Sequence, residues 1–226
     1  MNSKDITRNE ALRYLGYKKD SVHKVDPKTL NILEEALRDL EYLNSFRYAY
    51  RVFDIGIQGN TVTISNSDVA FKSASLSKFL ADFRRAVFFA ATLGAAIDRI
   101  IASLSFSSME KTLIYDSYAS AYIDQKCDEA QNIIFESELH DYNNLSRFSP
   151  GYGDLSLEYN DVIIDLIDAQ KLIGLTSTQT HLLVPQKSIV AIFGLNDKNN
   201  INDSHKCEKC WFADNCIYKD ESRFQT

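Results

Sequence analysis

Apolar positions along this chain change period several times, and each change predicts a new element. Leu30, Leu33, Leu37, Leu40 and Leu43 recur at helical spacing with charged residues between them, so 27–44 reads as an amphipathic helix. Residues 5–15 read as a shorter helix before it. From Tyr48 to Ile57 and from Thr61 to Ile64 the composition turns β-rich, and Gly59-Asn60 between the two runs predicts a hairpin turn. Leu76, Phe79, Leu80 and Phe83 give a helix over 75–83 a buried side. The unbroken apolar run Ala86-Val87-Phe88-Phe89-Ala90-Ala91-Thr92 predicts a buried strand, and Gly94 opens the turn into the next helix. A long helix follows over 110–139, then a loop over 147–154 and a helix over 157–173. Two strand segments around Pro185 fill 181–194.

This order predicts an α+β fold, an antiparallel or mixed sheet with helices around it. Residues 1–45 form an N-terminal helical cap packed on the core, 46–195 the core itself, and 196–226 a polar linker with a small cysteine-rich C-terminal tail. There is no internal repeat and no glycine-rich dinucleotide fingerprint, which argues against Rossmann chemistry.

Composition narrows the class of partner. A chain of 226 residues with 45% hydrophobic and 12% aromatic content can bury a sizeable core. Its net charge of −6 argues against a general binder of nucleic acid or anionic membrane. The longest apolar candidate for a membrane span, 86–97, breaks at Gly94 and ends at Asp98-Arg99. Met1-Asn2-Ser3-Lys4-Asp5 carries no signal-peptide core, so the expectation is a cytoplasmic protein. In that compartment cysteines are thiols or metal ligands rather than disulfides.

Three of the four cysteines gather near the end as His205-x-Cys207-x-x-Cys210, with Cys216 six residues on. Three thiolates with His205 complete a tetrahedral zinc site. Three thiolates with a ligand from elsewhere, such as Cys127, suit an iron–sulfur cluster, and the spacing leaves both open. Cys127 itself, mid-helix, reads as a buried structural thiol. Side-chain catalysis has little to stand on: the four histidines show no nucleophile-and-base spacing. Asp161, Asp165 and Asp168 on one helical stretch read as a solvated face.

The loop is the exception. The chain has eight glycines and three prolines, yet Pro150, Gly151 and Gly153 fall within four residues. Pro150 fixes its own backbone and restricts Ser149, while the glycines permit close approach of a ligand. Arg147 and Tyr152 are thereby mounted on a preshaped turn that suits a small anionic or adenine-bearing molecule.

Arg147-x-x-Pro150-Gly151-Tyr152 resembles the S-adenosylmethionine-binding loop of the activation (reactivation) domain of vitamin B12-dependent methionine synthase. Gly174-Leu175-Thr176-Ser177-Thr178-Gln179-Thr180 and then Pro185-Gln186-Lys187-Ser188 are similar to that family's Gly-x-x-x-Thr-Glu-Ser segment and Pro-x-x-Ser strand. Arg13 to Tyr17 and Phe89 to Gly94 resemble segments of its short, free-standing members, so the resemblance runs through nearly the whole chain. It implies that Arg147, Ser149, Gly151 and Tyr152 contact S-adenosylmethionine. Arg147 would pair with the ligand carboxylate through its two-pronged guanidinium. Thr178 and Gln179 fall in the matching second segment, and Asp116 and Asp124 on the long helix are candidates for an acidic contact. Two departures stand out: Gln179 replaces a carboxylate, and no N-terminal aspartate or tyrosine after the last strand matches.

The resemblance further implies a component acting in trans. It would hold S-adenosylmethionine for the reductive methylation of cobalamin carried by a separate methionine synthase or other corrinoid protein, with a flavodoxin- or ferredoxin-type electron donor. The alternative is a non-catalytic scaffold of a corrinoid methyltransferase system that keeps the fold.

Overall fold

The computed structural model describes residues 3–17, 25–43, 45–142 and 146–195. In chain order these form α1 (Ser3–Tyr14), α2 (Pro27–Leu43), β1 (Arg47–Gln58), β2 (Thr61–Ile64), β3 (Ala70–Lys72), α3 (Ala74–Phe79) and β4 (Arg85–Thr92). They continue with α4 (Ala95–Leu104), α5 (Met109–Ser137), α6 (Tyr159–Leu166), α7 (Ala169–Ile173), β5 (Thr176–Ser177), β6 (Leu183–Val184) and β7 (Ser188–Gly194). The fold is α+β, and the expected sheet is antiparallel throughout. Its strand order is β3-β2-β1-β4-β7, with β5 and β6 paired separately.

Residues 86–92 of β4 are all buried, so both faces of that strand are covered. Val87, Phe89 and Ala91 pack with α1, α2, α4 and α5 in one core cluster. Ala86, Phe88 and Ala90 face the other way, against Leu76 of α3, Ile163 and Ile164 of α6, and Ile173 of α7. Phe88 lies 5.6 Å from Phe53 and 5.5 Å from Phe71, ring to ring. The sheet is therefore the middle of three layers.

Local chemistry sets the element ends. Asp26 precedes Pro27, and its carboxylate accepts from Lys28 N at 2.7 Å and from the Thr29 hydroxyl at 2.8 Å. Those bonds, the hydroxyl first, hold its carboxyl below the usual range. Ser108 caps α5 by accepting from Lys111 N. Gly94 adopts φ +81 before α4, where a Cβ would sit 2.9 Å from Ser45 Oγ.

Two expectations need correction. The helix over 157–173 is two helices, because Asp168 takes a left-handed φ of 56 between them. The helix over 75–83 ends at Phe79. Asp161, Asp165 and Asp168 all keep a solvated side, with Asp168 also paired with Arg51 and Asp161 with His181. Cys127 is fully buried, and burial pushes its thiol up to about 12. His205, Cys207, Cys210 and Cys216 lie outside the described residues. Among the described residues no group of His, Cys, Asp and Glu is arranged to hold a metal, and no helix is long and apolar enough to cross a membrane.

Two measurements check this packing. Phe88→Ala should cost about 3–5 kcal/mol in chemical denaturation, since the ring is wholly enclosed. Cys127 should stay unmodified by a maleimide at pH 8 until the protein is unfolded, as read by site-resolved mass spectrometry.

Candidate functional site

The 147–154 loop crosses the free edge of β7, and it is fastened at each end and in the middle. At its start, Arg147 Nη1 lies 2.8 Å from Asp128 Oδ1 and donates to Gln131 Oε1 at 2.9 Å, both on α5. Next, Phe148 exchanges two backbone bonds with Ile192, at 2.8 and 2.7 Å, as a single bridge on β7. Its ring meets Phe79 at 5.1 Å and Tyr152 at 6.0 Å.

At its far end, Asp154 accepts from Ser73 Oγ at 2.5 Å, Ala74 N at 2.8 Å and Ser75 N at 2.9 Å. The carboxylate thus serves the first orphan N–H groups of α3 from a remote part of the chain. Those bonds, the Ser73 hydroxyl first, hold its carboxyl far below the usual range.

Between the fastenings the chain turns sharply. Gly151 N donates to Leu155 O at 2.7 Å and Tyr152 N to Ser149 O at 3.1 Å. Gly151 and Gly153 take φ of +94 and +56. At Gly153 a Cβ would lie 2.4 Å from Ser75 Oγ, so glycine is required twice over, by angle and by space.

Beside the loop is a cavity of about 460 Å³. Ser149, Pro150 and Tyr152 of the loop line it, together with Asn160 of α6, Thr178 and Leu182 of the β5–β6 turn, and Ser188 to Val190 of β7. Leu157, Leu183, Val184 and Gln186 complete the lining. Its wall is largely aliphatic with neutral polar groups, within the roughly 300–1,000 Å³ typical of small-molecule sites.

The β5–β6 turn is itself latched to α6. His181 adopts φ +63, rare for a residue with a side chain, and three bonds hold it there. Its N donates to Thr178 O at 2.9 Å, its carbonyl accepts from Asn160 Nδ2 at 2.9 Å, and its Nδ1 meets Asp161 Oδ2 at 2.6 Å. Desolvation would raise the Asp161 carboxyl, but hydrogen bonds from Ser177 and His181 outweigh it and hold it below the usual range. An ionised carboxylate only accepts, so Nδ1 carries the proton of this pair. Thr178 Oγ1 accepts from Leu182 N at 3.1 Å and closes the turn from inside.

The two segments that the sequence singled out, 147–154 and 174–188, do meet at one cavity. Ser149, Tyr152 and Thr178 line it. Gly151 stands between two lining residues without lining it, and Gln179 is exposed outside it. Arg147 points to α5 and is engaged with Asp128. Asp116 pairs with Lys187 Nζ at 2.8 Å, and Asp124 accepts from Tyr14 OH at 3.0 Å; neither lines the cavity. Burial, first among its causes, raises the Asp124 carboxyl. Sequence reasoning missed Asn160, His181 and Asp154. The spacing Asn160-Asp161 to His181 carries no local signature; only the Pro-Gly turn before it hinted at a built wall.

No family model and no curated protein matches the sequence. The three-dimensional structure does have a likeness. It is similar to the crystallised MetH reactivation domain bound to AdoHcy, with a TM-score of 0.63 and 13% identity, over 88% of this chain and 78% of that one. The likeness is one of fold.

Gly153→Ala should destabilise the protein by about 2 kcal/mol, read from denaturant midpoints, because both the left-handed angle and the Ser75 contact oppose it. Asp154 gives a pH signature of known sign. A carboxyl depressed by folding contributes stability above its unfolded value of about 3.9, and that contribution is lost as pH falls towards the folded value. The stability gap between wild type and Asp154→Asn should therefore be full at pH 7 and shrink progressively below about pH 4.

Proposed function

We propose that this chain is an S-adenosylmethionine-binding module that supports the reductive methylation of cobalamin carried by a separate methionine synthase or corrinoid protein. One observation carries the reading: the Arg-x-x-Pro-Gly-Tyr loop and the Thr178 segment, separated in sequence, line a single cavity on the edge of the sheet. The fold around them is similar to that of a domain crystallised with AdoHcy.

The residues suit such a ligand. The apolar wall of Leu157, Leu182, Leu183, Ile189 and Val190 gives a planar base a dry face, while Tyr152 offers an aromatic surface beside it. Pro150 and the two glycines fix the loop before the ligand arrives, which lowers the ordering cost of binding. Bound there, the ligand supplies a methyl group on a cationic sulfur. The chain itself binds and orients, and no acid–base pair is among the described residues that line the cavity. Arg147 supports the site by pinning the loop to α5 through Asp128 and Gln131.

A second reading, a scaffold that keeps the fold without binding the nucleoside, is favoured by that same arginine. Its guanidinium is committed to Asp128 rather than turned to the cavity.

Calorimetric titration with S-adenosylmethionine separates the two. Saturable 1:1 binding is expected for the wild type. Leu182→Trp, at a lining position 56% exposed, should fill the cavity and weaken binding by at least about tenfold. Arg147→Ala should weaken it as well by releasing the loop. Absence of wild-type binding would sink the first reading in favour of the scaffold.

A further inference from the structure

The wall of the cavity carries hydrogen-bonding groups that the described residues leave unmet. Ile192 uses both its backbone N–H and its C=O on Phe148, on the side of β7 away from β4. Backbone groups alternate along a strand, so those of Val190 point the same way. Leu195 N, which bonds Arg85 O on β4, confirms the alternation from the opposite phase. The loop bridges β7 only at Ile192, so among the described residues nothing bonds Val190 on that side. Val190 is 2% exposed and lines the cavity. A buried donor and acceptor without partners demand water or a ligand.

Asn160 adds a second, independent acceptor. It is 5% exposed and also lines the cavity. Its Nδ2 donates to the His181 carbonyl, and a carbonyl can only accept, so the amide cannot be turned the other way. Oδ1 therefore points away from the turn and takes no hydrogen bond from the described residues. Asp161 holds the His181 ring and thereby the turn that fixes the amide.

We propose that Val190 and Asn160 form a reading edge for an aminopyrimidine-type base. The Val190 N–H is a donor for a ring nitrogen, and the Val190 C=O and Asn160 Oδ1 are acceptors for the neighbouring exocyclic amine. The neutral amide and aliphatic walls suit an uncharged N–H group; an ammonium would be stripped of water without a counter-charge. Asn160 is then a specificity-determining residue, and Asp161 and His181 are positioning residues. This inference rests on the S-adenosyl reading and says which end of that ligand enters the cavity.

The test compares S-adenosylhomocysteine with S-inosylhomocysteine, in which a carbonyl replaces the amine and the ring nitrogen becomes a donor. Both are titrated into the full chain and into Asn160→Leu. The wild type should prefer the adenosyl ligand by at least about tenfold, and Asn160→Leu should lose part of that preference, the Val190 backbone groups keeping the rest. Equal wild-type binding of both ligands would overturn the reading edge and leave the S-adenosyl site standing. Binding of neither ligand would overturn both. Full preference retained by Asn160→Leu would remove Asn160 from the edge. The wild-type comparison needs no substitution, so it decides the matter even where the variant does not fold.

Discussion

Burial of β4 on both faces is the constraint from which the rest of this molecule follows. A strand with Val87, Phe89 and Ala91 on one side and Ala86, Phe88 and Ala90 on the other must have an apolar layer on each. That requirement puts α5 on one face of the sheet and α3 and α6 on the other. The 147–154 loop then runs from one layer to the other around the edge of β7. Its first anchor, Asp128, belongs to α5, and its last, the start of α3, belongs to the opposite layer. The loop is held because the layers are held.

The same geometry leaves β7 as an edge strand that is only partly covered. Edge strands expose unpaired N–H and C=O groups, and proteins cover or pair them. Here Phe148 pairs one residue, and beyond it the wall opens into the cavity. The charges nearby do not line it: Arg147 of the loop pairs with Asp128 of α5, Lys187 just before β7 pairs with Asp116 of α5, and Asp124 is bonded to Tyr14. Among the described residues, what faces the cavity is aliphatic carbon, the Tyr152 ring, hydroxyls, two amides and backbone. Such a surface recognises a ligand by shape and directed hydrogen bonds rather than by proton transfer.

Much of this was legible in the residue pattern. Helical spacing marked α2, the Gly59-Asn60 hairpin marked β1 and β2, and the apolar run marked β4. Pro150 with two nearby glycines marked the rigid loop. The misreadings have a common cause. Residues 157–173 keep a helical apolar period, yet Asp168 takes a left-handed φ and the helix breaks there, where Arg51 of β1 meets the Leu166 carbonyl and the Asp168 carboxylate. Period reports an average local preference and does not carry the backbone angle of a single residue. At Arg147, too, the partners come from elsewhere in the chain: α5 presents Asp128 and Gln131 to the guanidinium.

By itself, then, the sequence determined which segments are buried and where the backbone must turn, because periodicity and restricted backbone angles are properties of neighbouring residues. Only the tertiary structure decided that Asn160, Val190 and the loop share one cavity, with His181 holding the Asn160 amide from behind. Those contacts depend on strand register and on how layers stack across the sheet, and no spacing along the chain encodes either.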